Sequence, residues 1–301
     1  MEKIKKISIA GWFAHHEEII DFLNYYYDHP EFFFQDRIID SIYDCYYGNL
    51  PLVWCGGRVP NNDARFNMNY VLKNFNMFPN IKLRHNFTNK LLNDDALIND
   101  YRCNQFVKKY IRPQDEVVIN HPKLIQHFKE HYPQIPLIYS TTLEITDINQ
   151  VNEITKNNIY VLSYTKNNDI EYLKNLQYKD NIELLCGETC MDNCPYRKEH
   201  QRMISQTILD AQLDLSKMQE IDCPTAKEHG APFFINDILQ RDHAISNEKM
   251  DQLMDLGFSQ FKIVGRSFPV PMWLDILLYY LALPEYKERL KQEFLMRWWK
   301  E

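Results

Sequence analysis

The sequence predicts an α/β chain closed into a (β/α)8 TIM-type barrel. Two patterns carry that expectation. Short β-rich runs alternate with longer helical stretches, the mark of parallel βαβ units, and about eight such pairs follow one another along 301 residues. The content, 45% hydrophobic and 14% aromatic, is enough for one full-sized core. Eight pairs favour closure; a doubly wound open sheet is the alternative, because sequence does not reveal strand order.

The elements follow in order. The first strand is expected at 7–10 (ISIA) with a helix at 17–27, the second at 37–43 (RIIDSIY) with a helix at 64–76, and the third at 81–85 (IKLRH) with a helix at 94–110. A fourth pair takes 116–119 (EVVI) and 122–131, a fifth 136–139 (PLIY) and 147–157, and a sixth 159–162 (IYVL) and 169–176. The seventh strand, 182–185 (IELL), precedes a long gap, and the eighth, 260–264 (QFKIV), lies between helices at 246–256 and 271–281. β-branched and aromatic residues dominate the strands. Asp94, Asp147, Asp169 and Ser246 stand at helix starts, where a short acceptor side chain caps free backbone N–H groups. No repeat or low-complexity linker divides the chain, so residues 1–301 read as a single barrel domain, with 186–258 as an elaborated cysteine-containing loop region between strands seven and eight.

A formal net charge of −7 and a pI near 5.8 offer no broad cationic surface for nucleic acid. The N-terminal residues run into a strand-like segment rather than a signal-peptide apolar core. Residues 273–283 are too few to span a bilayer and include Asp275, so they read as a buried helix. A cytoplasmic protein without a membrane anchor is expected, and there its seven cysteines point to metal rather than disulfides.

Residues just after barrel strands converge on one rim whatever their separation in sequence. Here they are Trp12, Asn86, Thr88, Asn89, Asn120, His121, Ser140 to Thr142, Ser163, Tyr164, Glu188, Cys190, Gly265 and Arg266. Cys186, Cys190 and Cys194 follow as C-x3-C-x3-C, and Cys223 precedes a proline. Four thiolates suit a 4Fe-4S cluster or tetrahedral zinc. The tight C-x2-C knuckles usual in structural zinc sites are absent, which favours iron-sulfur, and the radical-SAM triplet C-x3-C-x2-C is missed by one residue. Cys186 also continues an apolar strand and reads equally as core, while Cys45, Cys55 and Cys103 are isolated.

Four blocks resemble the collagenase-like peptidase family, peptidase family U-thirty-two, in its short single-barrel branch: His85 to Asn89, Ile138 to Thr142, Glu188 to Arg197 and Gly257 to Arg266. The resemblance runs over most of the chain. It implies cysteine ligands at Cys190, Cys194 and Cys223, an aliphatic residue more often than cysteine at the position of Cys186, and a further ligand from an early βα loop, Cys55 or Cys45. Cys55 begins a Gly-rich turn able to approach a cofactor closely. The implied activity is oxygen-independent hydroxylation of a small aromatic or nucleobase substrate. The alternatives are a non-catalytic iron-sulfur subunit paired with a heteromeric protein partner, as some relatives are, and a peptidase, although no Ser nucleophile elbow or H-E-x-x-H motif occurs. In the enzyme reading, Glu188, Arg197 and His200 share the shell of the cluster, with Glu188 or His200 moving protons. Lys262 and Arg266 leave the eighth strand on one face to hold an anionic group. Phe294, Leu295, Trp298 and Trp299 are expected to cap the barrel or dock a partner.

Overall fold

Residues 4–46, 50–57, 67–212, 223, 227, 230, 234–266 and 268–298 are described by the computed structural model. Eight parallel strands close in sequential order: β1 (Lys5–Ala10), β2 (Arg37–Asp44), β3 (Lys82–Phe87), β4 (Glu116–Ile119), β5 (Leu137–Tyr139), β6 (Ile159–Val161), β7 (Ile182–Cys186) and β8 (Gln260–Ile263). β1 pairs with both β2 and β8, which closes the ring. Its register with β2 shifts between Ile7 and Ser8, whose partners are Ile39 and Ser41, so Asp40 is an extra, bulged residue. Every expected strand is present, within a few residues at its ends.

Around the sheet run α1 (His16–Asp28), α2 (Met68–Phe75), α3 (Asp95–Ile98), α4 (Tyr101–Tyr110), α5 (Pro122–His131), α6 (Ile148–Thr155), α7 (Ile170–Lys174), α8 (Arg197–Asp210), α9 (Ile235–Ile238), α10 (Asn247–Asp255), α11 (Val270–Leu281) and α12 (Lys287–Trp298). All four expected caps form: Asp94 accepts from Ala96 N, Asp147 from Gln150 N, Asp169 from Tyr172 N and Ser246 from Lys249 N. The helix expected at 94–110 is two helices. Asp100 takes an N-cap conformation and accepts from Cys103 N at 2.8 Å, restarting the helix after Asn99. The start of the helix expected at 64–76 lies partly outside the described residues; Asn67 caps α2 through Asn69 N. α8, α9 and α12 fill stretches to which the sequence pattern assigned no helix.

α12 settles where the C-terminal aromatic residues go. Leu290 and Phe294 are buried, Phe294 packs on Phe22 and Tyr25 of α1, and Trp298 lies beside Trp273 of α11 while its indole N–H donates to Asp21. Phe294 and Trp298 therefore close the helical layer; Trp299 lies outside the described residues. Asp275, inside the most apolar helix, is buried but accepts from Ile235 N and from Lys291 Nζ at 2.9 and 2.7 Å. Among the described residues, no helix is long and apolar enough to cross a membrane.

Candidate functional site

Strand alternation sorts the side chains into two populations. On β7, Ile182, Leu184 and Cys186 face the helices and join the main core, whereas Glu183 and Leu185 face the barrel axis. Leu185 packs there with Val118, Ile138, Val161 and Val264. Charged residues share the axis. Arg84 of β3 reaches Glu116 of β4 at 2.7 Å and Glu183 across the barrel. Burial opposes its charge, but the two carboxylates outweigh it and hold the guanidinium above the usual arginine range. Below it, Lys82 lies 3.2 Å from Asp40 and 3.3 Å from Glu116.

Lys262 of β8 belongs to the same interior. Its Nζ lies 3.8 Å from the centroid of the Tyr43 ring, and the Tyr43 hydroxyl donates to the carbonyl of Ile263 at 2.9 Å. Burial pushes the amine down to about 7, Arg84 and Arg266 push the same way, and Glu183 and Cys45 oppose them.

The βα7 turn builds one side of the mouth. Gly187, at φ 77°, turns the chain out of β7 in a conformation that favours glycine, and Asn193, at φ 50°, turns it again toward α8. Between them the buried Glu188 carboxylate accepts from Thr189 N at 2.9 Å and Cys190 N at 3.0 Å and faces Arg197 at 3.5 Å. Arg197 lies over the ring of Tyr164 at 4.4 Å, with Glu144 3.9 Å away. The half-buried Cys190 packs against the axial apolar cluster. Burial and Glu188 raise its thiol pKa; Arg197 and Tyr164 act against them. His243 braces the turn from outside: one ring nitrogen faces Asp192, the other the carbonyl of Glu188 at 3.1 Å, and the ring meets Tyr164 edge-on.

The loop after β2 builds the opposite side. Asp44 accepts from Phe13 N, Ala14 N and Cys45 N at 3.1, 2.8 and 2.7 Å, tying the ends of β1 and β2 together. Arg266 donates to the sulfur of Cys45 at 2.8 Å and to the carbonyl of Gly56 at 2.9 Å, and lies 3.7 Å from Asp44. It is thus an internal clamp rather than a binder of free anions. Cys55 is buried beside Cys45, and burial raises its thiol pKa well above the ordinary range. The Gly-rich turn there makes its close approach to protein: a Cβ on Gly56 would overlap the backbone of Thr88 and Asn89.

The rim residues are largely partnered. Asn120 donates to Thr88 O and Thr142 Oγ1 at 2.9 and 2.8 Å, Asn89 donates to Val53 O at 2.8 Å, and Trp12 is buried with its indole N–H on Arg84 O. The fold thus brings together Glu188, Arg197 and Cys190, with Lys262 on the axis and Arg266 with Cys45 and Cys55 across the mouth. Cys194 follows on the same turn as Cys190, its N–H donating to Met191 O. Cys186 stands behind β7 in the helical layer, where burial raises its pKa. His200 is half-buried on α8, and Cys223 is half-buried with its carbonyl accepting from Lys227 N. Among the described residues, no three His, Cys, Asp or Glu side chains are grouped to hold a metal.

Sequence reasoning missed the axial partners Arg84, Glu116 and Glu183. Their signal was a charged residue at an inward position of an otherwise apolar strand. It also missed His243 and Glu144, for which no sequence signal exists, since both arrive from distant loops. A surface groove lined by Tyr132, Pro133, Leu137, Asn158 and Asn181 lies at the other, N-terminal end of the barrel, away from these groups. No protein-family model and no curated protein sequence matches the chain.

Proposed function

We propose that this protein is an iron-sulfur-binding barrel of the collagenase-like peptidase type, acting in oxygen-independent hydroxylation of a small aromatic or nucleobase compound held at the C-terminal mouth. One observation carries the reading. The Cys190 thiol stands against the axial apolar cluster beside Arg197, Glu188 and Tyr164, so a soft ligand, a cation and a carboxylate share the position where barrel enzymes do their chemistry. Cys190, Cys194 and Cys223 would hold the cluster, with Cys55 or Cys45 as a further donor, and the bound cluster would supply one-electron transfer. Glu188 fixes the ligand-bearing turn through two backbone N–H groups, and Arg197 neutralises charge beside it.

Purification without oxygen, followed by visible absorption and assays of iron and acid-labile sulfide, tests this. Matched iron and sulfide are expected, lost in Cys190→Ser and Cys194→Ser and retained in Cys186→Ser, because Cys186 faces the helices. Colourless protein without iron after anaerobic reconstitution would overturn the reading, and zinc in its place would make the site structural.

A further inference from the structure

The barrel axis carries a second set of groups that the thiol-bearing turn does not explain. Arg84 has Glu116 and Glu183, and Lys82 has Asp40 and Glu116. Among the described residues, the Lys262 ammonium, equally an interior cation, has no carboxylate within ion-pair distance and no side-chain hydrogen bond; its near neighbour is the Tyr43 ring. A buried ammonium without a counter-ion is costly, and loss of its proton relieves that cost.

On the same interior side of the barrel, five buried side-chain atoms from five strands or their ends have no partner among the described residues: Ser8 Oγ, Ser41 Oγ, Asn86 Oδ1, Asn120 Oδ1 and Glu183 Oε2. They come from β1, β2, β3, the end of β4 and β7, all at inward positions, so they converge on the axis. Buried polar atoms are normally satisfied, and a group of them aimed at one region marks a place for a polar guest. The inward side chains near the mouth keep a trace of exposure that the helix-facing ones lack. Lys262 and Asn86 retain 6% and 7% of their surface, whereas Leu184 and Cys186, on the helix-facing side, retain 0%. All five atoms are acceptors or hydroxyls, which suits a guest bearing hydroxyl donors and no negative charge.

We propose that Lys262 is an amine nucleophile that forms an imine with a small uncharged hydroxy-aldehyde or hydroxy-ketone entering along the barrel axis from the C-terminal mouth. The nitrogen lone pair adds to the carbonyl carbon, and the carbonyl π electrons pass to oxygen. Both amine hydrogens then leave with that oxygen as water as the C=N bond forms, so nothing is oxidised or reduced. The charged and titratable groups facing Lys262 are Glu183 from β7, Arg84 from β3, Tyr43 and Cys45 from β2 and its end, and Arg266 beyond β8. Their sum, with burial, keeps much of the amine neutral near pH 7. The inference is independent of metal binding.

Glycolaldehyde is the probe. The full-length protein is incubated with it at pH 6 to 9, reduced with borohydride, digested and mapped by mass spectrometry. The result expected is a reduced adduct on Lys262 at pH 7, formed at least about tenfold faster than on the exposed Lys198 and half-maximal near pH 7, with that advantage lost when the protein is unfolded in urea before labelling. Folded protein in which Lys198 is modified and Lys262 stays free across that range would overturn the proposal, and the peptide map of the native chain decides this even if Lys262→Met fails to fold. Pyruvate, the charged counterpart, is expected to label Lys262 poorly; labelling equal to that by glycolaldehyde would overturn the assignment to uncharged compounds.

Discussion

At the scale of single residues, the axis of this barrel is governed by the cost of burying charge. Arg84 is tolerable because two carboxylates meet it, and they are tolerable because of Arg84. Arg84→Met should therefore cost about 3–5 kcal/mol in urea denaturation, by leaving Glu183 buried without its partner and Glu116 with Lys82 alone. Adding Glu183→Gln should cost less than the two single changes summed, since it removes the stranded charge. Lys262 gives the opposite case. Its pKa falls from 10.5 to about 7 on folding, so between those values the unfolded chain binds more protons and stability rises with pH. Lys262→Met removes that rise. The difference in Tm, variant minus native, should be most favourable to the variant at pH 7 and below, and shrink as pH approaches 10.5. A constant difference across that range would show that the amine keeps its charge inside.

At the scale of elements, the loops at the mouth are held by close backbone approach together with side chains that bond backbone groups. Gly56 lets the loop after β2 lie directly on the Thr88–Asn89 backbone, and Arg266 then clamps it through Cys45 and the Gly56 carbonyl. Gly56→Ala must push the loop away, at about 1–3 kcal/mol, and should speed the reaction of Cys55 with a thiol reagent, as read by labelling kinetics under native conditions. The same element shows what sequence pattern can and cannot tell. A Gly-rich turn after a strand announces a close approach but not what approaches, and here the neighbour is another loop. The cap residues were legible because a helix start is a local event. The break at Asn99–Asp100 was less so, because the apolar spacing of α3 and α4 runs through it. On β7, the alternation of Glu183 and Leu185 against Leu184 and Cys186 was written in the sequence, but which set faced the axis depended on the neighbouring strands.

At the scale of the whole molecule, closure makes one site from dispersed parts. Lys5 of β1 pairs with Asp36 and Asp251, Arg37 donates to Asn247 and to Tyr280 O, and the Trp273 indole donates to Ala10 O, so the first and last units of the chain are fastened together. α12 completes this seam by laying Phe294 on α1 and Trp298 beside α11. By itself the sequence determined the eight strand–helix pairs, the helix caps and the thiol-bearing turn after β7, because strand periodicity, capping and turn chemistry act over a few residues. Only the tertiary structure decided that Cys186 faces the helices, that Arg266 is a clamp, that His243 braces Glu188 and that Lys262 faces the axis with no counter-ion among the described residues. Each of these depends on pairing between residues dozens to hundreds of positions apart, and ring closure, which no local pattern encodes, brings them within reach of one another.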